Sequence, residues 1–177
     1  MIPQIKKILY ATDLTKNSAY AAYFAADLAR KHDAKIVIFH CIAPIQPAFY
    51  YEYYEEMGVP DEDGILRPLR EREKAELVAE IRERLQQFSR KLESEMGSPC
   101  VGLVSDIIIV VGYPVEEILN AADTNACDVI VLGTHGKGWL KQTFLGSVAS
   151  SVLERSRKPV FIIPLPSEKR SAGSGTP

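Results

Sequence analysis

Three glycines and a serine late in the chain have the types and spacing of a loop that holds phosphate. Gly133 and Gly136 follow an apolar run, and Gly146-Ser147 precede a helical pattern. Glycine lets a backbone approach a phosphate closely, and a helix N-terminus offers unpaired N–H groups and partial positive charge. We therefore interpret the segment as a phosphate cradle. The alternative is a glycine-rich connector in which Ser147 caps the following helix.

One carboxylate and two imidazoles are the other candidates for chemistry. Asp13 follows the first apolar run, where it either faces a ligand or caps the next helix. His40 ends an apolar run, which favours a hydrogen-bonded core imidazole over an acid–base group. We expect His135 to face solvent and to contribute mainly its backbone. The sequence has no HExxH or HxxE spacing, so we predict no zinc site and no catalytic residue.

Short apolar runs alternate with longer amphipathic stretches, a pattern that predicts alternating strands and helices. The predicted strands are Ile5–Ala11, Lys35–Cys41, Val104–Val111, Asp128–Leu132 and Val160–Ile163. The predicted helices are Ala19–His32, Glu71–Met96, Val115–Thr124 and Val148–Arg155. The second helix has a predicted buried face of Leu77, Ile81, Leu85, Phe88 and Leu92.

The strand Val104–Val111 contains an unbroken apolar run, as expected of a strand buried on both faces. Such strands between helices predict an α/β fold, a parallel sheet covered by helices on both faces. Ligands of these folds bind beyond the carboxyl ends of the strands, where the strand order reverses. That rule selects Ala11–Asp13, His40–Cys41, Gly112 and Gly133–Gly136.

Length and composition indicate one domain, covering residues 1–166 of 177. We interpret Pro44–Arg70 as an irregular insertion. Its Tyr50–Tyr54 cluster either packs over a ligand, packs against a partner subunit, or belongs to a loop that lies along the protein surface. Ser167–Pro177 reads as a disordered tail. A net charge of −2, with no long basic run, argues against nucleic acid as a partner.

Neither a membrane span nor a signal peptide is predicted, because no apolar stretch approaches the required length. The three cysteines form no CxxC pair, and Cys41 and Cys127 read as small buried hydrophobes. These features together predict a cytoplasmic protein.

The spacing Gly133-x2-Gly136-x9-Gly146-Ser147 resembles the ATP-binding signature of the universal stress protein family. Other segments are also similar to that family: Tyr10-Ala11-Thr12-Asp13, His40-Cys41, Gly112-Tyr113-Pro114-x3-Ile118 and Lys158-Pro159-Val160. The resemblance covers roughly residues 4–164. It implies a Rossmann-like, five-stranded parallel sheet with the strand order 3-2-1-4-5.

The resemblance also implies a nucleotide site. Its residues would be Ala11, Thr12, Asp13, His40, Cys41, Gly112, Leu132, Gly133, Thr134, His135, Gly136, Gly146, Ser147 and Val148. Asp13 would face the ribose or a phosphate-bound Mg²⁺ or Mn²⁺. Cys41, where the family often has valine, would pair with adenine through its backbone. The family further implies a homodimer through antiparallel pairing of Val160–Ile163; the alternative is a covered strand in a monomer.

Several functions fit these features. The first is an ATP-binding stress or signalling protein in which the nucleotide is a regulatory ligand. The alternatives are a slow ATP hydrolase or nucleotide-transferring enzyme, and a dimeric interaction module without nucleotide. The sequence lacks GxxxxGK[ST], SGGxDS and HxGH motifs, which favours binding over efficient catalysis. A receiver domain is disfavoured because Gly112, not an aspartate, ends the third strand.

Overall fold

The computed structural model describes residues 4–43, 66–97, 102–134 and 145–164. Four predictions concern residues outside these ranges: the irregular character of residues 44–65, the Tyr50–Tyr54 cluster, the roles of His135 and Gly136, and the tail after residue 166. Within the described part of the chain, no helix is long and apolar enough to cross a membrane.

Within the described ranges, five strands and four helices alternate along the chain. In order they are β1 (Lys7–Ala11), α1 (Lys16–His32), β2 (Lys35–Ile42), α2 (Leu66–Met96), β3 (Val104–Val111), α3 (Pro114–Thr124), β4 (Val129–Gly133), α4 (Ser147–Arg155) and β5 (Val160–Ile163). The strands form one parallel sheet in the order β3-β2-β1-β4-β5. This confirms the predicted α/β fold and its strand order.

The core has two layers, one on each face of the sheet. Ile8, Tyr10 and Ile38 point into the layer under α1 and α2. Leu9 and Phe39 point into the layer under α3 and α4. Successive residues of the central strands are therefore buried on opposite faces, which explains their unbroken apolar sequences. The alanines of α1 bring that helix close to the sheet.

Several element boundaries differ from the predictions. Helix α1 begins at Lys16 rather than Ala19, because Thr15 caps it: the Thr15 side chain accepts a hydrogen bond from the Ser18 N–H at 3.2 Å. Helix α2 begins at Leu66, inside the predicted irregular insertion. Its Pro68 lies in the first turn, where a missing N–H breaks no helical hydrogen bond.

The start of β4 and the ends of β1 and β2 also differ from the predictions. Asp128 precedes β4, and its carboxylate accepts hydrogen bonds from the N–H groups of Lys6 and Lys7 at 2.7 and 2.9 Å. Strand β1 begins at Lys7 rather than Ile5, and β2 continues to Ile42. The carboxylate therefore ties the amino ends of two adjacent strands together.

Two burial predictions were wrong. Strand β3 is only partly buried because it lies at the edge of the sheet, where helices cover it incompletely. Leu77, assigned to the buried face of α2, is exposed. Helix α2 has 31 residues and is longer than the eight-residue strand β3, so the part of the helix that contains Leu77 extends past the strand.

The β3 edge of the sheet is protected by side chains. Glu93 of α2 accepts a hydrogen bond from the Val104 N–H at 3.1 Å, and Arg82 of α2 donates to the Ile107 carbonyl at 3.0 Å. The Asp106 carboxylate accepts from the Ile107 N–H at 2.7 Å. These bonds occupy backbone groups that another strand would otherwise use.

The β5 edge is open by comparison. Pro159 and Ile163 accept hydrogen bonds from Ile130 and Thr134 on the β4 side. Because backbone direction alternates along a strand, the N–H and C=O groups of Val160 and Ile162 point outward. Among the residues that the structure describes, none forms a hydrogen bond with these outward groups.

Tyr10 makes the stability of the fold sensitive to alkaline pH. Its hydroxyl donates to the Ser18 carbonyl at 2.6 Å, and burial raises the pKa of Tyr10 to about 12 from its ordinary value of 10.0. Below pH 10 the phenol is protonated in both states, and its contribution is fully present. Between pH 10 and 12 only the unfolded chain ionises, so the free energy of unfolding should fall by roughly 2.7 kcal/mol.

Urea unfolding at about pH 9 and about pH 11 measures this loss. Tyr10→Phe should be less stable than the wild type by about 1 kcal/mol at pH 9, because it lacks the hydrogen bond to Ser18, and this difference should be largely gone at pH 11. The variant should lose less stability than the wild type between the two pH values. Equal losses in both proteins would show that Tyr10 does not cause the pH dependence.

Candidate functional site

The predicted site residues that the structure describes lie at the carboxyl edge of the sheet, around the ends of β1, β2, β3 and β4 and the start of α4. This is where the strand order reverses, since β2 lies on one side of β1 and β4 on the other. The Thr12 N–H donates to the Phe39 carbonyl at 2.9 Å, and the Gly146 N–H donates to the Thr134 carbonyl at 2.7 Å. These bonds connect the turn after β1 to β2, and the start of α4 to the end of β4.

Asp13 organises the turn between β1 and α1. One of its carboxylate oxygens, Oδ1, accepts from the Thr15 N–H at 3.1 Å and from the Thr15 hydroxyl at 2.7 Å. Thr15, not Asp13, is the residue that caps α1. The capping alternative for Asp13 therefore needs correction: Asp13 positions the cap rather than forming it.

The second carboxylate oxygen of Asp13 is buried and has no hydrogen-bond partner among the residues that the structure describes. A buried acceptor without a partner costs about 1–3 kcal/mol, more if it is charged. Such an atom in a native structure is a candidate ligand contact. It also suits a hard cation, since Mg²⁺ is commonly held by one or two carboxylates together with phosphate oxygens.

The described residues do not form a complete metal site by themselves. No group of three or more His, Cys, Asp or Glu side chains among residues 4–43, 66–97, 102–134 and 145–164 is arranged to hold a metal ion. A cation at Asp13 would therefore take its other ligands from phosphate and water. This donor set fits Mg²⁺ or Mn²⁺ that arrives with a nucleotide.

Thr12 fixes the shape of the same turn. Its hydroxyl lies 2.9 Å from the Ser18 hydroxyl and accepts a hydrogen bond from the Leu14 N–H at 3.1 Å. Leu14 has a φ of 65°, in the left-handed region that is unusual for a residue other than glycine. The Thr12 side chain thus supports the conformation of the turn.

His40 is a core residue, as predicted. Its ring is buried, and Nδ1 lies 2.7 Å from the Thr12 carbonyl oxygen. It points into the α1 side of the sheet, like Ile38 two residues earlier. The imidazole therefore holds the ends of β1 and β2 together from beneath the turn.

Cys41 is half-buried, and its Sγ donates to the Gly112 carbonyl at 3.2 Å. Burial and, second, the nearby Glu117 carboxylate raise the pKa of the Cys41 thiol, so it is not an activated nucleophile. The backbone carbonyl of Phe39 points toward β1, where it accepts from the Thr12 N–H. Along a strand, the direction of the backbone N–H and C=O groups repeats every two residues. The N–H and C=O groups of Cys41 therefore face the space beyond the end of β1.

Gly112 leaves room for a side chain from α3. A Cβ at this position would lie 2.6 Å from the Glu117 Oε1 atom and 2.7 Å from its Cγ atom. The Gly112 N–H donates to the Ile42 carbonyl at 3.0 Å, extending the β2–β3 pairing by one residue. Because Gly112 has no Cβ, Glu117 can lie over the end of β3, beside Cys41.

No side chain in the described part of the chain caps the N-terminus of α4. Gly146 occupies the capping position, with φ −64° and ψ 155°, so Ser147 is the first helical residue and not the cap. Among described residues, the N–H groups of Ser147, Val148 and Ala149 have no hydrogen-bond acceptor. Four such groups are normally left unpaired at a helix start, and they attract anions.

Four further predicted residues lie at the ends of β1 and β4. Ala11 and Leu132 are buried at the ends of β1 and β4, Gly133 ends β4, and Thr134 is buried just after it. Sequence reasoning missed the roles of Ser18 in the turn and of Glu117 over Gly112. The Thr15-Lys16-Asn17-Ser18 sequence signals a cap, but no local pattern indicates that Glu117 reaches back to β3.

Residues 4–164 match the model of the universal stress protein family. The chain is 29% identical to universal stress protein MJ0577 of Methanocaldococcus jannaschii over 158 residues, 89% of this chain and 94% of that protein. It is 28% identical to universal stress protein Sll1388 of Synechocystis over 160 residues, 89% of this chain and 96% of that one.

Solved structures agree with the sequence comparisons. The solved structure of MJ0577 superposes with a TM-score of 0.67 at 28% identity, covering 92% of this chain and 97% of that one. A universal stress protein from Archaeoglobus fulgidus, solved in complex with dAMP, has the same fold, with a TM-score of 0.54 at 21% identity; 92% of this chain and 99% of that one are covered. By its sequence and its fold, this chain belongs to the universal stress protein family.

Proposed function

We propose that this protein binds ATP at the carboxyl edge of its sheet, where the nucleotide acts as a regulatory ligand. The observation that carries the proposal is the buried, unpartnered Asp13 oxygen, on the same edge as the uncapped start of α4. A phosphate chain with a bound divalent cation satisfies both. Its oxygens accept from the free N–H groups of α4, and its cation binds Asp13.

The β2 end of the site suits the adenine base. The outward backbone groups of Cys41 offer one donor and one acceptor, the pattern that pairs with the amino group and ring nitrogen of adenine. A backbone contact does not depend on the side chain, so cysteine can replace valine at this position. A relative from Archaeoglobus fulgidus was solved with dAMP, which is consistent with an adenine nucleotide.

The described residues support binding better than turnover. Fast phosphoryl transfer needs a positioned base and a cationic clamp in addition to the metal. The free oxygen of Asp13 is assigned to the cation, and His40 is buried beneath the turn. A slow hydrolase is the alternative activity.

The free thiols of Cys41 and Cys127 suit a reducing cytoplasm, where we place the protein.

The nucleotide can be identified without choosing it in advance. Freshly purified protein is denatured, and the released small molecules are analysed by mass spectrometry. We expect ATP, or its hydrolysis product ADP, in a substoichiometric to equimolar amount. A different ligand class, or no nucleotide both here and after incubation of the protein with Mg²⁺ and ATP, would contradict the proposal.

We further propose that two copies pair through β5. The outward N–H and C=O groups of Val160 and Ile162 are available for antiparallel pairing, whereas the β3 edge is occupied by side chains. Phe161→Lys should convert the dimer to monomers in multi-angle light scattering with unchanged circular dichroism, because Phe161 is exposed in a single chain. A dimer of unchanged mass would place the interface elsewhere.

A further inference from the structure

The free edge of β3 consists of backbone groups that point away from β2. The Gly112 N–H donates to the Ile42 carbonyl at 3.0 Å, and Ile42 is paired with Val111. Because backbone direction alternates along a strand, Gly112 faces β2, whereas the N–H and C=O groups of Val111, Ile109 and Ile107 point outward. These outward groups are the ones that a further strand would use.

The side chains that occupy the β3 edge reach only its amino half. The hydrogen bonds of Glu93, Arg82 and Asp106 described above end at Ile107, whose N–H and C=O groups are both bonded. We call the next segment, Ile109–Val111, the open edge. Among the residues that the structure describes, none bonds to the outward backbone groups of its first and last residues.

Helix α2 explains why the capping stops halfway along the strand. Arg82 bonds nearer the carboxyl end of β3 than Glu93 does, so the helix runs antiparallel to the strand and its earlier residues lie beside the open edge. Within about 60° of Arg82 around the helix axis, the preceding turns carry Ala75, Val78 and Ala79. These apolar side chains are too short to reach the backbone of β3.

Two exposed apolar side chains stand at the open edge. Val111 is 38% exposed and Tyr113 is 71% exposed. Ile109 packs toward the layer under α1 and α2, so Val111, two residues later, points to the same face of the sheet. Gly112 faces Glu117 on the opposite face, and the extended backbone of Tyr113 returns its ring to the α2 face. The α2 face of the open edge is therefore apolar.

We propose that the open edge is a docking site for a short, extended segment of another protein, which adds to the sheet as a sixth strand. The outward groups of Ile109 and Val111 offer a donor and an acceptor at every second residue, which is the pattern that an extended backbone satisfies. Apolar side chains on the α2 face of the added segment would cover Val111 and Tyr113. The inference does not depend on nucleotide binding or on pairing at β5.

The charges at the closed end of the open edge define the partner further. Arg82 reaches Ile107 from α2, whereas Asp106 is paired with Val37 and so points to the opposite face of the sheet. Neither forms an ion pair with a described residue. A partner whose apolar residues are followed by an acidic residue on the α2 face and a basic residue on the other face complements both charges.

A second copy of this chain is a poor occupant of the open edge. Two β3 strands related by a two-fold axis could pair only over Ile109–Val111, because Arg82 and Asp106 occupy the backbone groups of Ile107 in each copy. A segment of another protein has no such block. Antiparallel addition is the slightly more stable direction, and it places the carboxyl end of the segment beside Arg82.

The peptide acetyl-Val-Thr-Val-Thr-Asp-Lys-amide tests this site on the full-length protein. In antiparallel pairing its valines lie opposite Val111 and Ile109, with their N–H groups toward β3 and their side chains on the α2 face. The threonine N–H groups point away. Methylation of both valine nitrogens should therefore abolish binding, whereas methylation of both threonine nitrogens should change the affinity less than about threefold.

Amide hydrogen exchange, followed by NMR, locates the peptide. In the free protein the Ile109 and Val111 amides should exchange at least about tenfold faster than the Val110 amide, which faces β2. Millimolar peptide should slow exchange at Ile109 and Val111 at least about tenfold. Val111→Pro removes one outward N–H and no bond to β2, and proline is tolerated at sheet edges, so this variant should bind the peptide at least about tenfold more weakly.

Four results would overturn the proposal. Slow exchange of the Ile109 and Val111 amides in the free protein would mean that this chain already covers the edge. Protection of these amides that rises with protein concentration, without peptide, would make the occupant a second copy. No protection by millimolar peptide, or equal binding of the two methylated peptides, would show that strand addition does not occur here. The methylated peptides leave the protein unchanged, so their comparison stands even if Val111→Pro fails to fold.

Discussion

Asp13→Asn should remove most of the Mg²⁺-dependent affinity for ATP and leave the apo protein as stable as the wild type or more stable. The asparagine carbonyl can still accept from the N–H and hydroxyl groups of Thr15, so the α1 cap is kept. The negative charge on the buried, unpartnered oxygen is lost. A contact with a charged group is worth about 1.5–3 kcal/mol, which corresponds to roughly a 10- to 150-fold loss of affinity.

Asp128 provides the matched control for this variant. It lies at the opposite, amino edge of the sheet, where its carboxylate accepts from the N–H groups of Lys6 and Lys7. Asp128→Ala should lower the free energy of unfolding by about 1–3 kcal/mol and leave ATP affinity unchanged. Calorimetry and urea unfolding measure the two quantities. If Asp13→Asn destabilised the fold and kept full affinity, Asp13 would be a structural residue only.

Gly146→Val should reduce ATP affinity more than 100-fold without unfolding the protein. The φ and ψ angles of Gly146, −64° and 155°, are accessible to any L-residue, so valine introduces no backbone strain. Its side chain would occupy space at the start of α4, where a phosphate must approach the N–H groups closely. Gly146→Ala should give an intermediate loss, because its single methyl group occupies less of that space.

Gly97 is the control for Gly146, because its substitution should change stability and not ATP affinity. Its φ of +73° lies in the left-handed region, and it follows α2, far from the proposed site along the chain. Gly97→Ala should destabilise the protein by about 1 kcal/mol through backbone strain, with unchanged ATP affinity. Equal affinities for wild type and Gly146→Val would mean that the glycine-rich segment is only a connector.

The alternation of apolar runs and amphipathic stretches was sufficient to predict the strands, the helices and the parallel sheet. Central strands such as β1 and β2 are buried on both faces, so their sequences differ clearly from those of helices. The same reasoning failed for β3. Its apolar run reads like a central strand, but its place at the edge depends on pairing between strands that are distant in sequence.

The location of the candidate site residues was predictable where it depends on backbone and chain position. Strand ends and glycine spacing selected Asp13, Cys41 and Gly146, and the structure puts them on one edge of the sheet. The roles of side chains across elements were not predictable. Glu117 reaches over Gly112 from α3, and Thr15 replaces Asp13 as the cap, because both depend on local packing geometry.

Isothermal titration calorimetry of ATP, with and without Mg²⁺, tests the central claim most directly. Wild-type protein stripped of nucleotide should bind one ATP per chain, at least about tenfold more tightly with Mg²⁺ than with EDTA, and Asp13→Asn should abolish the difference. No binding at millimolar ATP with Mg²⁺, by a protein shown to be folded and free of nucleotide, would contradict the account.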